Sequence, residues 1–281
     1  MEINFKDIEL SDRSAVQKIL TASDRRFCEV SFANIFCWAP VSKYKIAICD
    51  DTLILGKPEQ SRFVMPIGKN RKEAVEELKS QYPHLTVRGA SEEELCYLDG
   101  FEITEETGFF DYIYETQKLS ALSGKKLAAK RNHINAFLAD GEWHTEIITP
   151  DHCKILSEFN EKWCEGRCEE SSLGHEMCAV NIALKNYEAL GLSGLMLYKN
   201  GRLVAYSYGE PINHDTFCVH VEKADQDVRG AYQMINREFV RTFCDGYTYV
   251  NREDDAGDEG LKKAKLSYYP TNVGRKFKGT L

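Results

Sequence analysis

Acidic side chains gather at two places in this 281-residue sequence where they could accept or hold a proton. Glu222 ends an apolar segment with the alternation of a strand, and Asp254 lies in a loop with five acids between residues 253 and 259. A carboxylate acts as a general base when it lies within hydrogen-bond reach of the proton and burial tunes its pKa. Acids also cap helices, and Asp258 or Glu259 would favour the positive end of a helix that follows. For Glu222 and Asp254, a catalytic and a structural role both stay open.

Two basic segments stand out against a net charge of −8. Residues 118–135 and 262–281 contain no acid, and their cations are Lys118, Lys125, Lys126, Lys130, Arg131, Lys262, Lys263, Lys265, Arg275, Lys276 and Lys278. The acidic balance disfavours indiscriminate binding to nucleic acid or anionic lipid by the whole surface. Two local basic segments on an acidic protein can serve a phosphate-bearing ligand, whereas a solvated helix face is the default interpretation of either segment alone.

A strand, a glycine turn, a helix and a second strand are predicted in succession over residues 216–250. Apolar residues recur three and four apart from 232 to 243, and strand patterns precede and follow them. Such a unit points backbone N–H groups outward at the helix N-terminus, where an anion can bind. Residues 226–231 resemble the pyrophosphate-binding turn of the GCN5-related N-acetyltransferases, except that Arg229 replaces the first glycine. Gly230 still permits close backbone approach, although the turn can equally bind nothing.

Other chemistries find little support in the sequence. Cys164, Cys168, His175 and Cys178 can be drawn as a zinc site, but no CxxC pair is present and the spacing fits no common module, so no metal is predicted. The ten cysteines are predicted to be reduced and buried. The histidines share no motif, and neither a nucleophile elbow nor a Walker-type phosphate loop is present. No apolar run approaches the ~18 residues that cross a bilayer, so we expect a cytoplasmic protein without an integral membrane segment.

The predicted elements divide the chain into two α/β units. Residues 1–117 read as helices, a meander of three strands over 45–67, and helix–strand alternation; 118–124 is the predicted linker. Residues 118–281 read as helices, three antiparallel strands, and the strand–turn–helix unit. Asn200-Gly201 is the strongest hairpin signal. Residues 165–175 are a predicted surface loop. The similar order of the two halves favours duplication of one α/β module.

An ordered set of segments carries a family resemblance over nearly the whole chain. These are residues 123–132 (SGKKLAAKRN), 202–206 (RLVAY), 222–225 (EKAD), 249–254 (YVNRED), 260–270 (GLKKAKLSYYP) and, in the first half, 31–38 (SFANIFCW). Together they resemble the phosphatidylglycerol lysyltransferase C-terminal-type domain, and the last segment resembles its stand-alone cytosolic members. The resemblance implies two tandem acetyltransferase-like folds, each a mixed central sheet flanked by helices, related to the Fem-type aminoacyltransferases, with the active site in the second. Membrane-bound relatives transfer an aminoacyl group from aminoacyl-tRNA to the glycerol hydroxyl of phosphatidylglycerol.

These observations lead to a first hypothesis, a metal-free acyl- or aminoacyltransferase. Its catalytic candidates are Glu222 and Asp254, which position the acceptor, and Tyr269, which returns a proton to the leaving group. The donor-binding candidates are Lys126, Lys130, Arg131, Asn132, Val219, Val221, Arg229, Gly230, Ala231, Asn251, Lys262 and Lys265. The donor is aminoacyl-tRNA by preference, and the acceptor a small molecule, a peptide or a lipid headgroup. The alternatives are an N-acetyltransferase that uses acetyl-CoA, with coenzyme A as the bound cofactor, and a non-catalytic binding module.

Overall fold

The computed structural model describes residues 2–164 and 171–281. Its helices are α1 Arg13–Ser23, α2 Phe32–Ser42, α3 Arg71–Gln81, α4 Thr116–Ala121, α5 Ala128–Ala139, α6 Cys153–Cys164, α7 Ser171–Lys185, α8 Tyr187–Leu190, α9 Ala231–Phe243 and α10 Glu259–Leu266. Its strands are β1 Lys45–Cys49, β2 Thr52–Lys57, β3 Arg62–Val64, β4 Ile67–Gly68, β5 Thr86–Ala90, β6 Glu102–Glu105, β7 Asp111–Glu115, β8 Trp143–Ile147, β9 Ser193–Lys199, β10 Arg202–Pro211, β11 Thr216–Ala224, β12 Tyr249–Asn251, β13 Asn272–Gly274 and β14 Phe277–Thr280. Among the described residues, no helix combines the length and the apolarity that crossing a bilayer requires.

The strands form two mixed sheets, as predicted. The first sheet has the order β1-β2-β3-β5-β14-β6, with β4 paired to β2, and the second has the order β13-β7-β12-β11-β10-β9-β8. Each sheet holds one parallel pair, β3 with β5 in the first and β11 with β12 in the second. The parallel pair of the second sheet is joined through α9, which is the strand–turn–helix–strand unit expected from the sequence.

The two halves of the chain exchange strands at their ends. β7 precedes residue 117, yet it pairs with β12 and β13 in the second sheet. β14 is the last strand, yet it lies between β5 and β6 in the first sheet. The division into residues 1–117 and 118–281 stays a prediction, and the sheets are not divided at that point.

Helices cover the second sheet on both faces. The side chains of α5 and α9 pack with Phe217 and Val219 of β11 in one apolar cluster. On the opposite face, α2 of the first half and α7 of the second half share a cluster that includes Cys218 and Val221. A separate cluster fills the space between α3 and the first sheet. The second sheet is therefore the layer against which both halves bury apolar surface.

Most local predictions are confirmed, and the differences lie at segment ends. Asn200 and Gly201 both have positive φ, at 50° and 75°, as the turn between β9 and β10 requires. The predicted linker at 118–124 is partly helical, because α4 extends to Ala121. In the predicted loop at 165–175, residues 165–170 lie outside the described residues and the remainder belongs to α7. The strands β6, β13 and β14 were not predicted, since each is three or four residues long.

Candidate active site

The second sheet opens between β11 and β12. Their parallel pairing covers only Thr216–Cys218 against Tyr249–Asn251. β11 continues to Ala224, whereas β12 ends at Asn251, so the two strands part after three residues. In α/β sheets, ligands bind beyond the carboxyl ends of strands at such a point. We call the region beyond this pairing, where β11 continues without β12, the strand gap.

A β-bulge in β11 changes the direction in which the side chains at the strand gap point. On β10, Tyr208 is opposite Val221 and Gly209 is opposite Val219, so His220 is the extra residue. Gly209 is required there, because a Cβ at this position would lie 2.0 Å from the carbonyl oxygen of Cys218. His220 therefore faces the cluster that contains α2, while Glu222 faces α9.

Glu222 is held by two protein donors on the α9 side of the gap. Its Oε1 accepts from Nη2 of Arg252 at 2.8 Å, and its Oε2 accepts from Nδ2 of Asn236 at 2.8 Å. Arg252 is buried, and Glu222 raises the pKa of its guanidinium although burial alone would lower it. Both oxygens of Glu222 thus have partners, which favours the structural role over that of a free base.

The two basic segments meet beside this ion pair. Nζ of Lys126 lies 5.2 Å from the ring centre of Tyr269, and Nζ of Lys130 lies 4.1 Å from that of Tyr268. Lys130 also donates to Oγ of Ser267 at 2.6 Å. The guanidinium of Arg252 lies 4.8 Å from the ring centre of Tyr268. Lys126 before α5, Lys130 within it and the residues after α10 therefore lie together, next to Arg252 and its partner Glu222.

The pKa of Lys130 supports this arrangement. Burial lowers the pKa of its ammonium group, and the neighbouring Arg252 lowers it further. Tyr269 is 47% exposed, with a left-handed φ of 56°. The phenol that was predicted as a proton donor is therefore accessible, and it stands next to a cation.

Other predicted donor-binding cations are engaged by protein groups. Arg131 donates to the carbonyl oxygens of Leu122 and Gly124, which caps the end of α4. Lys265 is buried and donates to the carbonyl oxygens of Arg252 and Asp254, so it fixes the acidic loop. Burial lowers the pKa of Lys265.

The remaining polar candidates differ in exposure. Lys262 is partly exposed and lies 3.4 Å from Oε1 of Glu259. Asn132 is exposed on α5. Asn251 is fully buried; its Nδ2 donates to the carbonyl oxygen of Arg26 at 2.6 Å and to Oδ2 of Asp111 at 2.8 Å. Asn251 therefore supports the end of β12 from within the protein, whereas Lys262 and Asn132 offer accessible polar groups.

The predicted apolar and turn candidates are mainly core residues. Val219, Val221 and Ala231 are buried. Gly230 has a φ of 86°, and a Cβ there would lie 2.3 Å from the carbonyl oxygen of His133 in α5. The glycine of the turn is thus explained by helix packing without a ligand. Arg229 is exposed beside it.

The acidic loop contains one carboxyl with a shifted pKa. Burial raises the pKa of Asp254 to about 7. Asp255 is buried, accepts from the hydroxyl of Tyr112 at 2.5 Å, and closes the loop through the amide of Gly257. Asp258 caps α10 by accepting from the amide of Leu261, as predicted. Asp254 is therefore the member of this loop whose environment suits proton transfer near neutral pH.

Sequence reasoning missed a buried polar cluster on the α2 side of the gap. His220 places Nδ1 2.7 Å from Oε1 of Glu253 and Nε2 3.3 Å from Oε1 of Glu210. Ser31, the N-cap of α2, donates to the same oxygen of Glu210, and Asn34 donates to Glu253 at 3.3 Å. Burial alone would lower the pKa of His220, but Cys218 and the two carboxylates raise it well above its ordinary value. The odd polar residue Asn34 in an aromatic segment was the one available signal.

Two groups of side chains have the composition of a metal site. Cys218, His220 and Glu253 form one, and Cys28, Asp111 and Asp254 form the other. Lys276 already supplies a buried cation to the second group, with Nζ 2.8 Å from Asp111. In the first, the imidazole nitrogens already face carboxylates, and burial raises the pKa of the Cys218 thiol to about 12. Both groups are thus satisfied by protons and ion pairs.

The residues that could be drawn as a zinc site, where no metal was predicted, are only partly described by the structure. Cys164 is in a disulfide, and Cys168 lies outside the described residues. Cys96 and Cys178 are exposed thiols, which corrects the prediction that all cysteines are buried and reduced.

Comparison with known proteins identifies the family. A family model described as "Phosphatidylglycerol lysyltransferase, C-terminal" matches residues 21–278. The chain belongs to this family. It is 39% identical to a conserved protein of unknown function from Bacteroides thetaiotaomicron VPI-5482, whose crystal structure superposes with a TM-score of 0.92 over 100% of both chains.

Two more distant structures share the fold. L-PGS from Bacillus licheniformis matches with a TM-score of 0.66 at 15% identity, covering 95% of this chain and 91% of that one. FemX matches with a TM-score of 0.59 at 10% identity, covering 99% and 97%. At these identities the likeness concerns the fold alone. The family membership relates this phosphatidylglycerol lysyltransferase C-terminal-type chain to transferases.

Proposed function

We propose that the protein is an aminoacyltransferase that moves an aminoacyl group from a phosphate-bearing carrier, aminoacyl-tRNA by preference, to an amine or hydroxyl acceptor. The observation that carries this proposal is the meeting of Lys126 and Lys130 with Tyr268 and Tyr269 beside the strand gap. Proteins bind single-stranded nucleic acid with cationic side chains that pair with phosphates and exposed aromatic rings that stack on bases. The acceptor end of a tRNA is single-stranded and carries the aminoacyl ester.

The turn before α9 favours this donor over acetyl-CoA. Ala231 directs its amide to the carbonyl oxygen of Val228 at 3.1 Å, and Gly230 packs against α5. These two groups are therefore already used within the fold. Lys126, Lys130 and Tyr269, by comparison, offer cationic groups and an exposed aromatic ring, which suit a nucleic acid better than the turn suits acetyl-CoA. Acetyl-CoA-dependent N-acetylation remains the alternative function, and a binding module without turnover is the second.

In the proposed reaction the carrier and the acceptor meet at the strand gap. Lys126 and Lys130 hold the phosphates, and Tyr269 gives a proton to the leaving hydroxyl of the carrier. Holding two reactants in place supplies much of the acceleration that such a transfer needs. Arg252 and Glu222 keep the edge of the gap in position, and Asp254 is retained as a candidate proton carrier because burial raises its pKa to about 7.

A binding panel tests the donor. Charged tRNA, uncharged tRNA, acetyl-CoA and coenzyme A are each titrated against the wild-type protein, the Lys130→Ala variant and the Lys72→Ala variant, the last a control at an exposed lysine of α3. We expect charged tRNA to bind, with an affinity that falls as salt rises. Lys130→Ala should weaken it about tenfold, a loss of about 1.4 kcal/mol, and Lys72→Ala should leave it unchanged. Binding of coenzyme A without binding of tRNA would refute the proposed donor.

A further inference from the structure

Glu253 stands at the strand gap on the side opposite to Glu222. Glu222 contacts Asn236 of α9, whereas Glu253 contacts Asn34 of α2 and His220 of the bulge. The basic surface of Lys126 and Lys130 lies on the α9 side, because α5 packs with α9 in the same apolar cluster. A donor held there leaves the α2 side of the gap for the acceptor.

The backbone and the neighbouring side chains aim Glu253 at this position. Its φ of 56° is left-handed, a conformation that non-glycine residues adopt at a cost and that surrounding contacts must hold. Its amide donates to Oδ1 of the fully buried Asn251 at 2.7 Å, which anchors the turn. His220 and Asn34 then fix the carboxylate itself. A left-handed backbone conformation at a non-glycine residue costs free energy, and such strain is concentrated at functional sites, where it directs a side chain.

One oxygen of Glu253 is held and the other is free. Oε1 lies 2.7 Å from Nδ1 of His220 and accepts a hydrogen bond from Nδ2 of Asn34 at 3.3 Å. Within residues 2–164 and 171–281, no donor lies within hydrogen-bond distance of Oε2. The side chain is 23% exposed, whereas His220 beside it is 9% exposed. Oε2 is therefore an acceptor without a partner among these residues, on a side chain that is partly exposed.

The groups behind Glu253 keep it in place. His220 bridges Glu253 and Glu210, and Ser31 ties Glu210 to the start of α2. Burial alone would lower the pKa of His220, but the carboxylates that face its two ring nitrogens raise it. Contact with a carboxylate at each nitrogen fixes the ring in one orientation. His220 is therefore a positioning residue, and Glu210 and Ser31 position His220.

We propose that Glu253 is the proton acceptor for the acceptor substrate in the transfer reaction, with His220 as its positioning residue. The inference rests on the proposed function. Oε2 of Glu253 takes the proton from the acceptor N–H or O–H while that atom bonds to the ester carbonyl carbon. The bond from this carbon to the carrier oxygen breaks, and the carrier oxygen takes a proton from Tyr269. Glu253 then returns its proton through solvent to Tyr269, so that one proton passes overall from acceptor to carrier.

Transfer of a labelled aminoacyl group from charged tRNA to ethanolamine tests this role, since ethanolamine offers both an amine and a hydroxyl. The variants are Glu253→Gln, Glu253→Asp, and the control Glu259→Gln at an exposed acid of α10. We expect Glu253→Gln to lower kcat by about 10²–10⁴-fold, the usual contribution of a general base. Donor binding should stay within about twofold, because the donor contacts the other side of the gap. Glu253→Asp should be intermediate, and the control should match the wild type.

His220→Gln separates positioning from folding. The glutamine can still donate to Glu253 but cannot face both carboxylates through two ring nitrogens. We expect kcat of the folded fraction to fall while KM for the donor stays close to that of the wild type. The unfolding midpoint should also fall, because Glu210 and Glu253 lose the partner that they share. A histidine with only a structural role would lower the unfolding midpoint and leave kcat of the folded fraction unchanged, which would overturn the positioning role.

The outcomes distinguish this inference from the function on which it rests. If the wild type transfers and Glu253→Gln transfers at a rate within about threefold, the role of Glu253 is refuted and the proposed function stands. If the wild type transfers from none of the charged tRNAs, the proposed function is refuted and the role of Glu253 with it. Loss of kcat with unchanged donor binding and an unchanged unfolding midpoint supports both.

Discussion

Replacing Asp254 by asparagine is expected to stabilise the protein at neutral and alkaline pH. Burial raises the pKa of Asp254 to about 7, from 3.8 for the free side chain. The folded protein therefore favours the neutral carboxyl group. As the pH rises from about 4 to about 7, the unfolded chain releases this proton and the folded chain keeps it, so the free energy of unfolding falls across that window. Asparagine has no proton to lose and avoids this decline.

The size of the effect follows from the shift. About three pKa units correspond to about 4 kcal/mol at 1.36 kcal/mol per unit. This value is an upper bound, because Asp254 is only partly buried by its side-chain exposure and solvent screens the charge. The substitution is nearly isosteric and keeps an Oδ1 that can accept from the amide of Ala256, now at 3.0 Å. The turn of the acidic loop should therefore be preserved.

Urea unfolding at about pH 4 and about pH 8 measures this prediction. We expect the Asp254→Asn variant to be more stable than the wild type at the higher pH and to differ little at the lower one. Asp245→Asn, at an exposed acid after α9, is the control and should show no pH-dependent gain. An equal gain at both pH values, or a loss at the higher pH, would refute the reasoning. If Asp254 also carries a proton during transfer, the stabilised variant should be slower.

Three further predictions concern stability and the proposed reaction. Arg252→Met should lower the free energy of unfolding by about 3–5 kcal/mol, because it leaves the largely buried Glu222 without its ion pair. Denaturant titration measures this loss, and recovery in an Arg252→Met, Glu222→Gln double variant would confirm its cause. Gly230→Ala should lower stability by 1 kcal/mol or more, because a Cβ meets the carbonyl oxygen of His133 at 2.3 Å and φ is 86°; equal unfolding midpoints would exclude the packing role. Dialysis against a chelator should leave the transfer rate unchanged, since the proposed proton path uses only side chains; loss of activity that zinc restores would contradict it.

Local patterns predicted the elements that frame the strand gap. Alternation over residues 216–222 and the helical stripe over 232–243 correspond to β11 and α9. The Asn200-Gly201 turn is also present in the structure. Each of these features is decided by residues within four positions of one another, where backbone sterics act. The signal and its cause lie in the same short stretch, so one sequence suffices.

Contacts between distant segments escaped prediction for the opposite reason. Ser31 and Glu210 are 179 residues apart, and His220 and Glu253 are 33 apart, so no spacing in the sequence marks them as partners. His220 was set aside because it shares no motif, yet a bulge opposite Gly209 is what turns it toward Glu253. Basic residues illustrate the same limit. Lys276 was grouped with accessible lysines, but it is fully buried against Asp111.

The exchange of strands brings residues from both halves of the chain to the strand gap. β12, which ends at the strand gap, pairs on its other side with β7, a strand that precedes residue 117. The acceptor side of the gap is closed by Ser31 and Asn34 at the start of α2, again from the first half. The donor side, in contrast, uses α5 and the residues after α10, which belong to the second half. Because the two sides of the gap come from different parts of the chain, the proposed arrangement predicts that changes in α2 alter the choice of acceptor without disturbing the donor surface.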